Sequence, residues 1–294
     1  MRVNPDVQSA LLAGLERVTN NQQNILKQLS SGSRISTSSD DPAGAAALIQ
    51  ILADDAATQQ NVANVHALQT QMQAADSALN SVVLALQRAI TLGVEGATGT
   101  SSDSDRAAIA NELNGIKDQL LELSNSALQG VYLFAGTASD ERPYIADGTA
   151  SGITYQGNTA INQLEIGPDY WVRTNVPGAS VFGDGTNGVF KAISDLVTAV
   201  QTNSGVDAAT ASVKEAREQV SAARVQYGDT LNQLSSNETV LNGLHLQLQQ
   251  QVDGLASANI ADLASNLATA QTSRVALLSV IAKTNGISLF DYIK

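Results

Sequence analysis

Residues 3–32 read VNPDVQSALLAGLERVTNNQQNILKQLSSG, and residues 260–293 read IADLASNLATAQTSRVALLSVIAKTNGISLFDYI. In the first stretch Leu11, Leu15, Val18, Gln22, Ile25 and Leu29 follow alternating steps of four and three, which places them on one stripe of a helix. Only Gln22 interrupts the apolar run. In the second, Ile260, Leu263, Leu267, Ala270, Leu277 and Ile281 keep the same rhythm, broken only by Arg274. A lone helix of this length is marginal in water, because nucleation is costly and burial of the apolar face supplies most of the stability. Each Leu or Ile moved out of water contributes roughly 1.5–3 kcal/mol, so the two stripes are expected to pair. Two helices of any bundle share this periodicity, and spacing alone does not identify the partner.

Between the ends the chain is uneven. No aromatic residue precedes Tyr132, and eight of the eleven (Tyr132, Phe134, Tyr144, Tyr155, Tyr170, Trp171, Phe182 and Phe190) crowd into the next stretch. Charge is also segregated. Residues 1–44 hold four basic and four acidic groups, residues 255–294 hold three and two, and the middle carries the excess acid that makes the formal net charge −12. Near-neutral ends tolerate close packing of many copies, whereas an acidic middle disfavours nucleic acid and anionic membrane. An acidic solvated surface has the same composition.

Zero cysteines exclude disulfides and thiolate metal sites. The start lacks the continuous apolar run of a secretory signal peptide. No stretch reaches about 18 uninterrupted apolar residues, so no transmembrane helix is expected.

In chain order, Gly32 is placed as a C-terminal cap, with Lys27 and Arg34 near the negative end of the first helix. Asp41 is the expected cap of the second helix and Pro42 its first residue, where a missing N–H costs nothing. That helix is expected over Ala43–Leu92, carrying Val62, Val65, Met72, Leu79, Val83, Leu86 and Ile90, until Gly93, Gly96 and Gly99 break it. A third helix starts at Asp103–Asp105. From Tyr132 to Gly188, recurring glycines and prolines with short alternating runs predict a β-rich module. Helical patterning resumes over Phe190–Val200 and from Asp207 toward Leu255.

The expected fold is mainly α, a long antiparallel helical bundle or coiled coil made from both chain ends, with a small β-rich outer domain inserted mid-chain. Residues 1–44 and 255–294 form the terminal domain of this reading, 45–135 and 187–254 a helical rod, and 136–186 the outer domain.

Catalytic constellations are not evident. His66 and His245 stand alone on helical segments without a second ligand at metal spacing. Asp40 and Asp41 before Pro42 read as a cap rather than as acid/base chemistry. The run Gly183–Gly188, GDGTNG, lacks the spacing and terminal Glu of an EF-hand loop and reads as a turn. No catalytic residue, metal or cofactor is expected. Tyr155, Tyr170 and Trp171 could offer a stacking platform for a surface glycan, or supply the core of the small module.

Leu29–Ala43, LSSGSRISTSSDDPA, together with Ala258–Ile293, closely resembles the two terminal regions of the flagellin family, in the expected order. Three further features are similar to the branch of that family whose members join hook to filament: Pro42 after the aspartate pair, GVYLFAGT at Gly130–Thr137, and GITYQGNTAINQLEIG followed by NVPGASVF. The resemblance implies an extracellular, non-enzymatic junction adaptor of the bacterial flagellum. Such a subunit is exported unfolded by the flagellar type III route and assembles through its terminal helices. The partners it implies are further copies of the chain in a ring or helix, the other hook-associated junction protein, flagellin, and an export chaperone. The assembly seam would comprise Leu11, Leu15, Val18, Ile25, Leu29, Ile260, Leu263, Leu267, Leu277 and Ile281. A filament-forming flagellin is the alternative within the family.

Overall fold

In the computed structural model, residues 5–98, 102–147, 151–167 and 170–286 are described. Seven helices and six short strands occur among them: α1 (Pro5–Ser31), α2 (Pro42–Gly96), α3 (Asp103–Ser124), β1 (Ala127–Leu128), β2 (Val131–Tyr132), β3 (Tyr144–Ala146), β4 (Ile153–Tyr155), β5 (Gln163–Gly167), β6 (Tyr170–Arg173), α4 (Gly178–Phe182), α5 (Val189–Thr202), α6 (Val206–Ala256) and α7 (Ile260–Gly286). The last part of the C-terminal segment, expected to be helical as far as Ile293, lies outside the described residues. The chain is mainly α, with the long helices in the expected order. It divides into two compact units: residues up to Ala57 with those from Leu244 onward, and Thr58–Gly243.

The Thr58–Gly243 unit owns the large core. On α2 the buried residues Val65, Leu68, Met72, Ala75, Leu79, Val82, Leu86 and Ala89 advance by strict threes and fours. On α6 Val213, Val220, Tyr227, Leu234 and Leu241 recur every seventh residue. These are heptad seams, and they join one hydrophobic cluster. The polar ties beside the seams fix an antiparallel register. Gln69 donates to Glu238 at 2.9 Å, the Arg224 guanidinium grips Asp76 at 2.9 Å, and Arg217 donates to Gln87 at 2.7 Å. Residues ascending α2 thus meet residues descending α6. By average composition α2 is apolar enough to cross a membrane, but its seam residues are core.

α2 passes straight through Gly93 and ends only at Gly96, beyond the break expected near Leu92. Gly93 serves packing rather than termination, and Gly96, the last residue of α2, is closely packed as well. A Cβ on Gly93 would lie 2.4 Å from Thr210 Oγ1, and one on Gly96 would lie 3.1 Å from Val200 Cγ2. Gly99 lies outside the described residues. α3 begins with a reciprocal capping box: Asp105 N–H donates to Ser102 Oγ while Ser102 N–H donates to the Asp105 carboxylate.

The β-rich stretch consists of three separate antiparallel hairpins, β1–β2, β3–β4 and β5–β6. None makes a sheet large enough to stand alone. Their inward residues, such as Tyr144, Ile153, Ile166 and Val172, join the same cluster as the helices. Aromatic packing does much of the joining. Phe134 meets Phe182 edge-on at 5.2 Å between ring centres, and Tyr144 lies 5.2 Å from Phe190. The Tyr144 hydroxyl donates to Gly183 O at 2.8 Å, and burial pushes its pKa far above the ordinary phenol value.

Candidate assembly surface

The unit made from the chain ends has little core. Its buried apolar residues among those described are Ile25, Ile35, Ala45, Leu248, Leu263 and Ala270. α1 and α7 pack together along their length, and Ile25, Leu263 and Ala270 form the buried cluster between them, with Leu29, Ala258 and Leu267 against it. Leu11, Leu15, Val18, Leu277 and Ile281 are half-buried. Ile260, at the first position of α7, is 60% exposed and makes no part of that cluster. Arg274, the interruption in the second stripe, reaches Gln22, the interruption in the first, at 3.4 Å. The two polar breaks in the stripes therefore face each other.

The turn between α1 and α2 is built by short-range polar chemistry. Gly32 stands at φ +67°, the left-handed conformation that ends a helix most cheaply on glycine. Asp41 Oδ1 accepts from Gly44 N–H at 2.9 Å, the third helical position, and Pro42 opens α2. That hydrogen bond, and then Arg34, hold the Asp41 carboxyl below the usual carboxylate range. Asp40 has a separate task. Its Oδ2 accepts from Thr37 N–H at 2.8 Å, Ser36 Oγ at 2.9 Å and Ser36 N–H at 3.1 Å. The Thr37 amide, then the Ser36 hydroxyl and amide, bring its pKa down to about 2.

Arg34 works on a different helix from the one expected. Its guanidinium donates to Leu255 O at 2.9 Å and to Asp41 Oδ2 at 3.1 Å, while its backbone N–H donates to Ala256 O at 2.6 Å. Leu255 and Ala256 are the last residues of α6, where carbonyls lack helical donors and the helix dipole is negative. Ala258 N–H donates back to Gly32 O at 3.0 Å, and Ser33 pairs with Ser257 as an isolated antiparallel bridge. The α1–α2 turn and the α6–α7 turn are one hydrogen-bonded structure. Asn259 then caps α7, accepting from Ala261 N–H at 3.1 Å and Asp262 N–H at 3.3 Å. An Asn just before an apolar-periodic run was the available signal for this cap. The Arg34 contact had none, because its partner is a backbone carbonyl far along the chain.

The two histidines are paired with carboxylates. His245 Nδ1 lies 2.5 Å from Asp55 Oδ1, and Gln249 Nε2 lies 2.9 Å from His245 Nε2. His66 Nε2 lies 3.6 Å from Glu238. No group of three metal-ligating side chains occurs among the described residues. The three aromatics of the stacking platform do not act together. Tyr155 is half-buried, with its hydroxyl donating to Asn158 O at 2.8 Å. Tyr170 and Trp171 are exposed, but as neighbours on β6 they point to opposite faces.

What remains is a surface for association. Of the twenty large apolar residues exposed among those described, eleven belong to the smaller unit: Val7, Leu12 and Leu26 on α1, Ile49 and Leu52 on α2, Leu244 and Leu246 on α6, and Ile260, Val275, Leu278 and Val280 on α7. All four helices thus carry large apolar residues that are exposed in the single chain. Exposed apolar side chains on every helix of so thinly packed a unit make it the candidate surface for association.

Comparison with known proteins agrees with this architecture. Residues 6–139 match the family model for the bacterial flagellin N-terminal helical region. The chain is 28% identical to flagellar hook-associated protein 3 of Escherichia coli (strain K12), over 94% of this chain and 95% of that one. It is 26% identical to flagellar hook-associated protein 3 of Salmonella typhimurium (strain LT2), over 93% and 94%. The solved structure of the flagellar junction protein FlgL from Legionella pneumophila superposes with a TM-score of 0.60 over 72% of this chain and 100% of that one, at 14% identity. With a matching N-terminal model, relatives aligned along nearly their whole length and the paired-helix fold, the chain is similar to the flagellin family, and within it to proteins named flagellar hook-associated protein 3.

Proposed function

We propose that this chain is a subunit of the hook–filament junction of the bacterial flagellum, a structural adaptor that assembles through its terminal helices. The observation that carries the assembly reading is the composition of the smaller unit: six buried apolar residues against eleven large exposed ones. A pair of helices so thinly packed gains most of its stability when neighbours cover the remaining apolar faces. Support for the junction, as against the filament, comes from relatives named hook-associated protein 3 that align along nearly the whole chain.

In this reading residues 1–44 and 255–294 are the assembly domain, ordered most fully on incorporation. Residues 45–135 and 187–254 are the helical rod domain of this reading, and 136–186 its β-rich outer domain. Other copies lie beside it, with the second hook-associated protein on the hook side and flagellin on the filament side. Before export through the flagellar type III channel, a chaperone covers the C-terminal stripe.

Deletion of the gene tests the junction reading. Hooks without filaments, with flagellin released into the medium, are expected, and normal filaments on the deleted cells would refute it. Purified protein added to filament fragments should stop their growth; elongation into long filaments would identify a flagellin instead.

A further inference from the structure

A groove of about 540 Å³ in the Thr58–Gly243 unit runs between α6 and the strand segments that flank β5–β6. Met72, Ile161, Val176 and Pro177 make its walls apolar, and Arg173 and Asp229 stand in its lining as exposed charges of opposite sign. No ion pair between them, or from either to another described residue, is formed. An apolar trough with a base and an acid left open calls for an apolar knob flanked by an acid and a base.

The chain carries such a knob. Leu84 on α2 is 63% exposed. One turn further along, Arg88 forms an ion pair with Glu112 of α3, its Nε donating at 2.7 Å, and both side chains remain about half exposed. Leu84 therefore projects beside one positive and one negative group. Within a single chain it cannot reach the groove. Met72, which lines the groove, precedes it by twelve residues, so the two side chains differ by about 120° around α2 and about 18 Å along it.

We propose that Leu84 of one copy seats in the Met72–Tyr227 groove of the next, with Arg88 facing Asp229 and Glu112 facing Arg173. Knob and groove are different surfaces of the same chain, so the contact is heterologous and propagates from copy to copy around a ring or along a helix. Opposed charges on both flanks fix the direction of propagation and exclude the reversed pairing. The inference rests on the reading of the chain as a self-assembling junction subunit and adds which outer surfaces of that subunit meet.

The chain has no native cysteine, so introduced thiols report the contact without background. Flagella are isolated from cells carrying Leu84→Cys with Gln226→Cys, oxidised, and run on a non-reducing gel beside each single variant. A ladder at multiples of the subunit mass is expected for the double variant only. Absence of the ladder from assembled double-variant protein overturns the proposal, and a band of non-multiple mass shows that another protein occupies the groove. Should the cysteines block assembly, charge exchange decides. Arg88→Glu and Asp229→Arg should each reduce swimming and together restore it; a combined variant no better than either single one overturns the contact. Failure of the junction reading itself looks different, because filaments would then persist in the deletion strain or be lost without release of flagellin into the medium.

Discussion

Arg34 and Leu255, 221 residues apart in sequence, meet at 2.9 Å, where the guanidinium occupies the carbonyl end of α6. With the Gly32–Ala258 and Arg34–Ala256 backbone pairs, this contact joins the only two turns of the smaller unit among the described residues. Arg34→Ala should loosen both together. The side chain is nearly half exposed, so the loss is modest, roughly 0.5–1 kcal/mol after solvent screening. Arg34→Lys keeps the charge but not the fork and should fall between. Hydrogen exchange is the measurement. The amides of Arg34 and Ala258 should exchange faster, while those of Leu79 and Leu234 in the larger core do not change.

Asp40 gives the same turn a dependence on pH. Its carboxyl is lowered to about 2 in the folded chain by donors from Thr37 and Ser36, whereas an unfolded aspartate titrates near 4. A depressed folded pKa means that the stabilisation is complete above about pH 4 and is lost as pH falls toward about 2. The amide shifts of Ser36 and Thr37, followed by NMR, should therefore titrate with a midpoint near 2. In Asp40→Asn the titration should vanish and the turn should be equally loose at pH 3 and pH 6. A wild-type midpoint near 4 would mean that the carboxylate is not held by these donors.

The α1–α7 pair separates two kinds of substitution. Leu263 and Ile25 are buried within the chain, so Leu263→Ala or Ile25→Ala should destabilise the isolated subunit by about 2 kcal/mol, the low end for a core truncation because the cluster is small. Leu12 and Leu278 face outward. Leu12→Asp or Leu278→Asp should alter subunit stability by about 0.5 kcal/mol or less and yet abolish incorporation into the flagellum. Leu267→Asp and Ile281→Asp combine both effects and should block assembly with the central helices still folded. Circular dichroism melts of purified subunits, set beside immunogold labelling of flagella, resolve the classes. Normal junction occupancy in the Leu12 and Leu278 variants would remove the exposed face from the assembly reading.

Much of the architecture was legible because it is periodic. Leu11 to Leu29 and Leu263 to Ile281 announce a helix pair, and Val213 to Leu241 announce a heptad seam, since burial on one side of a helix forces apolar residues into a fixed spacing. Asp41 and Pro42 were legible for the opposite reason, because a cap is satisfied within three residues. Arg34 on Leu255 could not be read, as no local pattern encodes a backbone acceptor so distant. The β-rich stretch was recognisable from its glycines and alternation, but its division into three hairpins depends on which strands find each other. The outward set of Leu12, Leu26, Val275 and Leu278 fell outside the seam because alternating fours and threes describe one stripe only.

Gly93 shows how one residue type supports two opposite readings. Glycine in a helix interior costs about 1 kcal/mol relative to alanine, which is why Gly93 and Gly96 suggested the end of α2. Propensity alone would therefore make Gly93→Ala stabilising. The added Cβ would, however, fall 2.4 Å from Thr210 Oγ1, 3.2 Å from its Cγ2 and 3.3 Å from Leu196 Cδ1. Thr210 is buried, and its hydroxyl donates to Val206 O at 2.7 Å, so it cannot swing away without losing that bond. Overpacking of this kind costs about 1–3 kcal/mol and outweighs the propensity gain. Gly93→Ala should lower the melting temperature of the subunit. Thr210→Ala removes both close atoms, so the pair Gly93→Ala with Thr210→Ala should be more stable than the sum of the single effects. A positive coupling in that double-mutant cycle would establish that close approach of α6 keeps α2 helical through a glycine, whereas additivity would return Gly93 to the role of a tolerated helix breaker.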